Sequence, residues 1–326
     1  MKTALITGIA GQDGSYLAEL LLEKGYRVYG TECGSPEDYY ENIEPCKQRL
    51  ILRQADILDQ GSLISLIEEA QPDEIYNFAS HSFVPLSWEE PVLNAEINAL
   101  GVARILEAIR RVKPDARFYQ ASSSEMFGKP EEKPQTERTA FRPGTPYGCA
   151  KLYGHWIVGN YRDRIGLFAC SGILYNHESP RRGREFVTRK ITLAAARIKC
   201  GLQRTLALGN LDAHRDWGYA KDYVRAMWLM LQHAAPDDYI VATGQEHCVR
   251  DIVQIAFEHL GLDWQAHIEQ DPHFVRQSEL NRLVGDAAKA RTTLAWKPSV
   301  TFEQLIRLMA DADLEQVKSG RRGSAV

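Results

Sequence analysis

The feature that most restricts the fold is a glycine-rich turn near the start of the chain. An apolar run at residues 3–7 leads directly into Gly8, Gly11 and Gly14, and leucines at helical spacing follow within residues 15–24. Glycines at such a point permit a tight turn, close approach of the backbone to a pyrophosphate, and close packing of the helix on the strand. The N-terminus of the helix adds free N–H groups and a partial positive charge. Because the turn lies between a first strand and a first helix, it predicts a dinucleotide-binding loop.

Strand-like and helix-like segments alternate through the first half of the chain. We predict strands at residues 3–7, 27–31, 50–54, 74–78 and 117–121, and helices at residues 15–24, 59–70, 92–112 and from about residue 146. Alternation of this kind predicts a parallel sheet covered on both faces, which is the Rossmann-type, doubly wound α/β fold.

From about residue 176 the alternation is less regular, although residues 219–232 and 249–260 keep a helical pattern and residues 238–242 a strand pattern. We therefore expect residues 1–175 to form a dinucleotide-binding domain that carries the catalytic residues. Residues 176–326 should form mainly a smaller, substrate-binding lobe, with some segments returning to the first domain.

Composition limits the class of protein. The chain has 326 residues and a formal net charge of −4, which argues against nucleic acid as a partner because non-specific binding requires a basic surface. No apolar run approaches the roughly 18 residues of a membrane span. The six cysteines show no C-x-x-C spacing, and His81 and His177 lack partners at metal-ligand spacing. We expect a cytoplasmic protein with no membrane partner and no metal site.

A Tyr-x-x-x-Lys spacing identifies candidate catalytic residues. Tyr147 and Lys151 lie four residues apart on a predicted helix and so share one face. An adjacent ammonium stabilises a phenolate, so we expect a lowered pKa for Tyr147 and a role as acid and base at a carbinol. Ser123 ends a predicted strand, where its hydroxyl would contact the same oxygen. Glu125 adds a carboxylate that can remove a proton next to a ketone, which a simple alcohol dehydrogenase does not need.

Further cofactor contacts are expected where strands end. Glu32 ends the second predicted strand, where a carboxylate accepts hydrogen bonds from the adenosine ribose and repels a 2′-phosphate, so it favours NAD over NADP. Asp56 follows the third strand, where it would meet the adenine. The predicted cofactor-binding residues are Gly8, Gly11, Gln12, Asp13, Gly14, Glu32, Asp56, Ile57, Ala79, Ser80, Tyr147 and Lys151.

Long strings of this sequence resemble the extended short-chain dehydrogenase/reductases and, within them, the GDP-mannose 4,6-dehydratases. The matching strings are residues 4–18, 118–128, 176–183, 186–191, 208–213, 215–218 and 242–244. The resemblance implies the conversion of GDP-mannose to GDP-4-keto-6-deoxymannose, by oxidation at C4, loss of water across C5 and C6, and return of hydride to C6. It implies Ser123, Glu125, Tyr147 and Lys151 as the catalytic residues, with Glu125 acting at C5 and C6.

The resemblance also implies the contacts of a GDP-sugar substrate. It places Asn176, Lys190 and Arg215 on the diphosphate side, and Arg276 and Glu279 on the nucleotide, with Ser82 and Glu178 as further substrate contacts. Guanidinium groups suit phosphate oxygens, and we expect about half of the basic residues near this region to touch ligand. These basic residues are Arg181, Arg182, Arg189, Lys190 and Arg215.

The chain departs from the family after the second predicted strand. The family carries an Arg-Arg-Ser-Ser-like loop that binds the NADP phosphate and helps to build a tetramer, whereas this chain has the acidic residues Glu32, Glu37 and Asp38 around a short loop. The family implies NADP and the local charge implies NAD, and we favour NAD. The family also implies a homodimer through a four-helix bundle of residues 92–112 and 146–164, with a tetramer as the larger possibility.

Two other functions fit parts of the pattern. A dehydratase acting on a related substrate such as GDP-manno-heptose would use the same residues, while a sugar-nucleotide 4-epimerase or 4-reductase would need Tyr147 and Lys151 but not Glu125. A non-catalytic nucleotide-sensing protein is disfavoured, because both the tyrosine and the lysine are present.

Overall fold

The computed structural model describes residues 1–32, 37–271 and 282–320, and its largest feature is a parallel β-sheet. In chain order the strands are β1 (Thr3–Thr7), β2 (Arg27–Glu32), β3 (Ile51–Gln54), β4 (Glu74–Asn77), β5 (Arg117–Ser123), β6 (Ala169–Leu174), β7 (Asn176–Glu178), β8 (Leu206–Leu208), β9 (His214–Arg215), β10 (Trp217–Tyr219), β11 (Asp238–Val241), β12 (His247–Cys248) and β13 (Ile268–Gln270). The helices are α1 (Gln12–Glu23), α2 (Gln60–Ala70), α3 (Leu86–Glu89), α4 (Pro91–Ala95), α5 (Gly101–Val112), α6 (Pro146–Asn160), α7 (Val187–Lys199), α8 (Ala220–Gln232), α9 (Val249–His259), α10 (Ala288–Leu294) and α11 (Phe302–Lys318). Single π-helical turns join α4 to α5 and extend α6 to residue 165.

The large sheet has the strand order β11-β6-β5-β4-β1-β2-β3, and each pair of adjacent strands in it is parallel. The chain runs from β1 outward to β3 and then returns to β4 on the other side of β1. Such a reversal opens a crevice at the carboxyl ends of β1 and β4, which is where open α/β sheets bind ligands.

Helices cover both faces of this sheet, which confirms the predicted Rossmann-type, doubly wound fold. On one face α1, α8 and α10 form a buried cluster that includes Leu17, Tyr223 and Ala290. On the other face α2 and α5 bury residues such as Leu63 and Ile105. Burial on both faces explains why the strands read as nearly continuous apolar runs rather than as alternating ones.

A third buried cluster belongs to α7, α9 and α11 with the short strands around them. Trp217 lies in this cluster and stacks on Phe302, with 5.9 Å between the ring centroids. Burial in the core suits the large apolar surface of a tryptophan side chain. The second half of the chain also adds strand β11 to the large sheet and packs helices α8 and α10 on one of its faces. The division near residue 175 into a dinucleotide-binding domain and a substrate-binding lobe stays a prediction. Among the described residues, no helix is both long and apolar enough to span a membrane.

Two predicted boundaries differ from the structure by more than one residue. Helix α1 begins at Gln12, three residues before the predicted start, because its first turn holds Asp13 and Gly14 rather than leucines. The helix dipole favours an acidic residue in the first turn. The pattern of apolar residues gives no information about such a polar first turn. Strand β5 extends two residues beyond the prediction, to Ser123, because the polar residues at its end still pair with β6.

Candidate active site

A cavity of about 590 Å³ lies at the carboxyl ends of the central strands. It is lined by the glycine-rich turn, by the residues that follow β4 and β5, by the start of α6, and by the segment from β6 to α7. Among the predicted site residues, the cavity is lined by Gly8, Gly11, Gln12, Asp13, Gly14, Ala79, Ser80, Ser82, Ser123, Glu125, Tyr147, Lys151 and Asn176. The structure therefore brings the predicted cofactor loop and all four predicted catalytic residues into one cavity.

The glycine-rich turn has the shape that a dinucleotide requires. Gly8 has a φ of +67°, and a Cβ at this position would lie 2.9 Å from the backbone nitrogen of Ala79. Only glycine meets both conditions without strain. The backbone is therefore open towards the cavity just before the N-terminus of α1, which supplies free N–H groups to a phosphate.

Side chains at the start of α1 hold the segment that follows β6. The Gln12 amide donates to the carbonyl of His177 at 3.0 Å and accepts from the Ser179 hydroxyl at 2.8 Å. The Asp13 carboxylate lies 2.8 Å from Nε2 of His177, whose Nδ1 lies 2.8 Å from the Tyr175 carbonyl. Gln12 and Asp13 thus bind the protein itself, and they fix one wall of the cavity.

His177 faces acceptors at both ring nitrogens. Burial alone would lower its pKa, but the Asp13 carboxylate outweighs burial and raises it overall. Burial likewise opposes ionisation of Asp13, yet His177 lowers the pKa of that carboxyl overall. Each residue therefore favours the charged form of the other at the cavity wall. The absence of metal-ligand spacing around His177 says nothing about this contact with Asp13. The position of His177 next to Asn176, in a string that resembles the family, could have indicated that it lies at the site.

Local sequence starts α6 at the cavity. The Thr145 hydroxyl accepts from the Gly148 backbone N–H at 3.0 Å, and Pro146 occupies the first turn, where its missing N–H costs nothing. Tyr147 and Lys151 then point into the cavity with 7% and 5% of their surface exposed. Lys151 Nζ donates to the Ala121 carbonyl at 3.1 Å and lies 5.7 Å from the centroid of the Tyr147 ring.

The prediction of a lowered Tyr147 pKa is wrong in this structure. Burial of the phenol raises the pKa of Tyr147 to about 12, and the hydroxyls of Ser123 and Ser80 only partly oppose it. Burial also lowers the pKa of Lys151 to about 8, with a smaller opposing effect of Asp13. The physical reason is that desolvation of both groups outweighs their mutual attraction, because the ammonium is bound to a backbone carbonyl rather than to the phenol.

Ser123 and Glu125 lie at the end of β5, where the strand becomes a 3₁₀ turn at Ser124–Met126. The Ser123 hydroxyl accepts from the Glu125 backbone N–H at 3.2 Å and so caps this turn. A Cβ at Gly148 would lie 2.8 Å from the Glu125 carbonyl oxygen, so a larger residue would push α6 away from the turn. The absence of a side chain there lets the helix that carries Tyr147 pack directly on the turn that carries Glu125.

Comparisons with known proteins identify the family of this chain. The profile of the family described as GDP-mannose 4,6 dehydratase matches residues 5–309. The chain is 50% identical to GDP-mannose 4,6 dehydratase 2 of Arabidopsis thaliana, over 97% of this chain and 88% of that protein. It is 45% identical to GDP-mannose 4,6 dehydratase of Homo sapiens, over 98% and 93% of the two chains. The chain belongs to the GDP-mannose 4,6 dehydratase family.

Solved structures agree in fold with this member of the dehydratase family. The UDP-glucose 4-epimerase of Thermus thermophilus, in complex with NAD, has a TM-score of 0.83 at 26% identity over 95% of this chain and 98% of that one. A dTDP-glucose 4,6-dehydratase of Streptomyces venezuelae, with NAD bound, has a TM-score of 0.86 at 23% identity over 97% and 98% of the two chains.

Several predicted contacts of the dehydratase lie outside the cavity lining. Glu178 is buried, accepts from the Thr188 hydroxyl and lies 3.2 Å from Arg182 Nε. Lys190 Nζ donates to the Ala207 carbonyl at 3.0 Å, and Arg215 donates to the His214 carbonyl at 2.7 Å. Their roles as substrate contacts stay predictions. Arg276 and Glu279 lie outside the described residues.

Three predicted adenosine contacts are also not part of that lining. Glu32 is the last residue of β2, one position after Thr31, whose hydroxyl accepts from the Gly8 backbone N–H at 3.2 Å. The Asp56 carboxylate accepts from the Leu58 backbone N–H at 2.9 Å, and Ile57 is buried among apolar residues. Their cofactor contacts stay predictions.

Not all of the basic residues predicted near the substrate face the cavity interior. Arg189 borders the cavity, but it is buried and forms an ion pair with Asp313, with 2.7 Å between Nε and Oδ1, and it donates to the Gln316 amide at 2.8 Å. It therefore holds α7 to α11. Arg182, whose guanidinium carbon lies 3.5 Å from the centroid of the Phe186 ring, lines the cavity with Arg181. Sequence spacing could not separate these roles, because the partner Asp313 lies 124 residues away.

Proposed function

We propose that this protein is a nucleotide-sugar 4,6-dehydratase that converts GDP-mannose to GDP-4-keto-6-deoxymannose. The observation that carries the proposal is the presence of Glu125 in the same cavity as Tyr147 and Lys151. A tyrosine and lysine pair suffices for oxidation and reduction at a carbinol, whereas elimination of water also needs a carboxylate near the neighbouring carbon. Membership of the GDP-mannose 4,6 dehydratase family supports the same reaction.

The cofactor of the reaction is NAD or NADP, and we propose NAD. When bound, it would supply a hydride acceptor for C4 and a hydride donor for C6, so the reaction would consume no net oxidant. The turn at Gly8 and the N-terminus of α1 would hold its pyrophosphate. Glu32 supports NAD, and Glu41, which also lines the cavity, adds a second carboxylate unfavourable to a 2′-phosphate.

The protein's own residues move the protons. Tyr147 takes the proton of the C4 hydroxyl while Ser123 binds the same oxygen and the Lys151 ammonium stabilises the phenolate. The new ketone acidifies C5–H, and Glu125 removes that proton. Glu125 then gives the proton to the C6 oxygen as the C6–O bond breaks and water leaves. Tyr147 finally returns its proton to C5, so the sum of the steps is loss of one water.

The remaining substrate contacts follow from this assignment. We propose that Asn176, Lys190 and Arg215 bind the diphosphate side of the GDP-sugar, that Ser82 and Glu178 complete the sugar pocket, and that Arg276 and Glu279 bind the nucleotide. We place the protein in the cytoplasm, because its described cysteines, Cys46, Cys149, Cys170, Cys200 and Cys248, are free thiols as expected in a reducing compartment.

The test is incubation with GDP-mannose and a catalytic amount of NAD or NADP, followed by mass spectrometry of the sugar nucleotide. The expected product has lost one water, without net reduction of the cofactor, and Tyr147→Phe abolishes its formation. A new sugar nucleotide of unchanged mass, separated from GDP-mannose by chromatography, would indicate a 4-epimerase, whereas a 4-reductase would form no product because GDP-mannose has no ketone to reduce. If GDP-mannose binds without reacting, turnover of GDP-manno-heptose would identify the related dehydratase.

We also propose that two copies associate as a homodimer. Large apolar side chains are exposed on α3, α4 and α6, where Trp88 is 64%, Val92 75% and Trp156 55% exposed, and Tyr153 lies one turn before Trp156 on the same helix. Exposed apolar groups of this size are typical of an interface. Light scattering should give a dimer or a tetramer for the protein, and Trp156→Glu should shift the mass towards the monomer. An unchanged mass would place the interface elsewhere.

A further inference from the structure

A chain of buried polar side chains lies behind the catalytic residues. Ser122 Oγ and His155 Nδ1 are 3.2 Å apart, and both residues are less than 5% exposed. On the far side of the imidazole, Nε2 lies 3.9 Å from the Asp238 carboxylate. Arg162 donates two hydrogen bonds of 2.9 Å to that carboxylate, and the Ser171 backbone N–H donates a third at 3.1 Å. The chain thus joins β5, α6 and β11.

The surroundings of His155 decide its protonation. Burial lowers its pKa, the Asp238 carboxylate opposes this and Arg162 adds to it, with the net result a lowered value. Phe141 contributes only a ring edge, with 5.2 Å between the centroids. The lowered pKa favours the neutral imidazole, and the tautomer with its proton on Nε2, towards the carboxylate, leaves Nδ1 to accept the hydrogen bond from the Ser122 hydroxyl.

These residue types also form hydrolytic triads, but the arrangement here does not serve nucleophilic attack. The 3.9 Å between His155 Nε2 and Asp238 exceeds a hydrogen bond, and Ser122 is only 3% exposed. Successive side chains of a strand point to opposite faces, so Ser122 points away from the side of β5 that presents Ser123. The Ser122–His155 contact therefore acts on the backbone that carries Ser123.

The catalytic residues are divided between two elements. Ser123 and Glu125 belong to the end of β5, while Tyr147 and Lys151 belong to α6, and His155 lies one helical turn after Lys151. Among the described residues, polar side-chain contacts link these elements at three places: Lys151 Nζ to the Ala121 carbonyl, Tyr147 to the Ser123 hydroxyl, and Ser122 to His155. A displacement of about 1 Å between reacting groups costs about 10²-fold in rate, so the relative position of the elements matters. We propose that His155 is a positioning residue, which through the Ser122 hydroxyl holds the end of β5 against α6.

The test rests on the proposed dehydratase reaction and uses the whole protein with GDP-mannose. Ser122→Ala is compared with Ser171→Ala, because Ser171 is a buried serine on neighbouring β6 whose hydroxyl has no hydrogen-bond partner within the described ranges. We expect Ser122→Ala to lower kcat about tenfold with little change in KM, and Ser171→Ala to leave both nearly unchanged. An equal effect of the two variants on kcat would overturn the proposal.

Substitutions of His155 distinguish the contributions of its two ring nitrogens to kcat. Asn places an amide near the position of Nδ1 and Gln near that of Nε2, so His155→Asn should restore most of the kcat that His155→Leu loses, while His155→Gln should not. The double variant Ser122→Ala, His155→Leu should lose no more than the worse single variant, since both break one contact. Rescue by Gln alone, or additive losses, would overturn the proposal. If His155→Leu does not fold, the comparison of Ser122→Ala with Ser171→Ala decides. A wild-type protein that releases no water would refute the dehydratase function instead.

Discussion

Lys151 should set the pH above which the reaction gains no further rate. Its ammonium is buried at the cavity wall, and burial lowers the Lys151 pKa to about 8. Below this pKa the side chain is charged and stabilises the Tyr147 phenolate, and above it the neutral amine offers no such stabilisation. Tyr147 accepts the C4 proton only as the phenolate, and burial raises its pKa to about 12, so the phenolate fraction grows about tenfold with each pH unit in this range. We therefore expect kcat to rise with pH up to about pH 8 and to level off as Lys151 loses its charge.

The shape of the profile follows from the two titrations. With a pKa of about 8, Lys151 is about half charged at about pH 8, about one tenth charged at about pH 9 and about one hundredth charged at about pH 10. The gain in Tyr147 phenolate offsets this loss, so the rate should rise about tenfold for each pH unit below about pH 8 and stay nearly level above it. The assay is the initial rate of water loss from GDP-mannose between about pH 6 and about pH 10, with circular dichroism at each pH to verify the fold.

Lys151→Arg provides the matched control for this experiment. A guanidinium stays charged throughout the range, because its pKa exceeds about 12. Whatever activity the variant retains should therefore keep rising above about pH 8. A wild-type rate that keeps rising to about pH 10, or a plateau that persists unchanged in Lys151→Arg, would refute the assignment of this break to Lys151.

Three further predictions concern other parts of the molecule. Glu125→Gln should permit oxidation at C4 but lower the rate of water loss by at least about 10²-fold, so that reduced cofactor accumulates; a normal rate would contradict its role. Glu32→Arg should shift the ratio of kcat/KM values towards NADP by about tenfold, since a guanidinium attracts the 2′-phosphate; an unchanged ratio would mean that Glu32 does not contact the ribose. Asp313→Ala should lower the free energy of unfolding in urea by about 3–5 kcal/mol, because it leaves the buried Arg189 without its carboxylate. The joint change Arg189→Met, Asp313→Leu should cost much less, and equal costs would contradict this account.

The sequence by itself determined the features that depend on near neighbours in the chain. Alternating apolar segments predict a parallel sheet, the glycine-rich turn predicts the loop at Gly8, and a four-residue spacing places Tyr147 and Lys151 on one face of α6. These features depend on φ angles, on helical periodicity and on strand order, which short segments specify. Chemistry that follows from residue type, such as the carboxylate of Glu125 beside the tyrosine and lysine pair, could be predicted in the same way.

Only the tertiary structure decided which charged residues face the cavity and what their surroundings do to them. Asp13 lies beside His177 across 164 residues of sequence, and Arg189 beside Asp313 across 124. Residue type placed Arg189 in a group of basic residues of which about half were expected to touch ligand, and only the packing of α7 on α11 showed that Asp313 is its partner. Residue type likewise predicted a lowered pKa for Tyr147, whereas burial raised it. The physical reason is that solvation and ion pairing depend on the distances between elements, and chain spacing determines these only within about one helical turn.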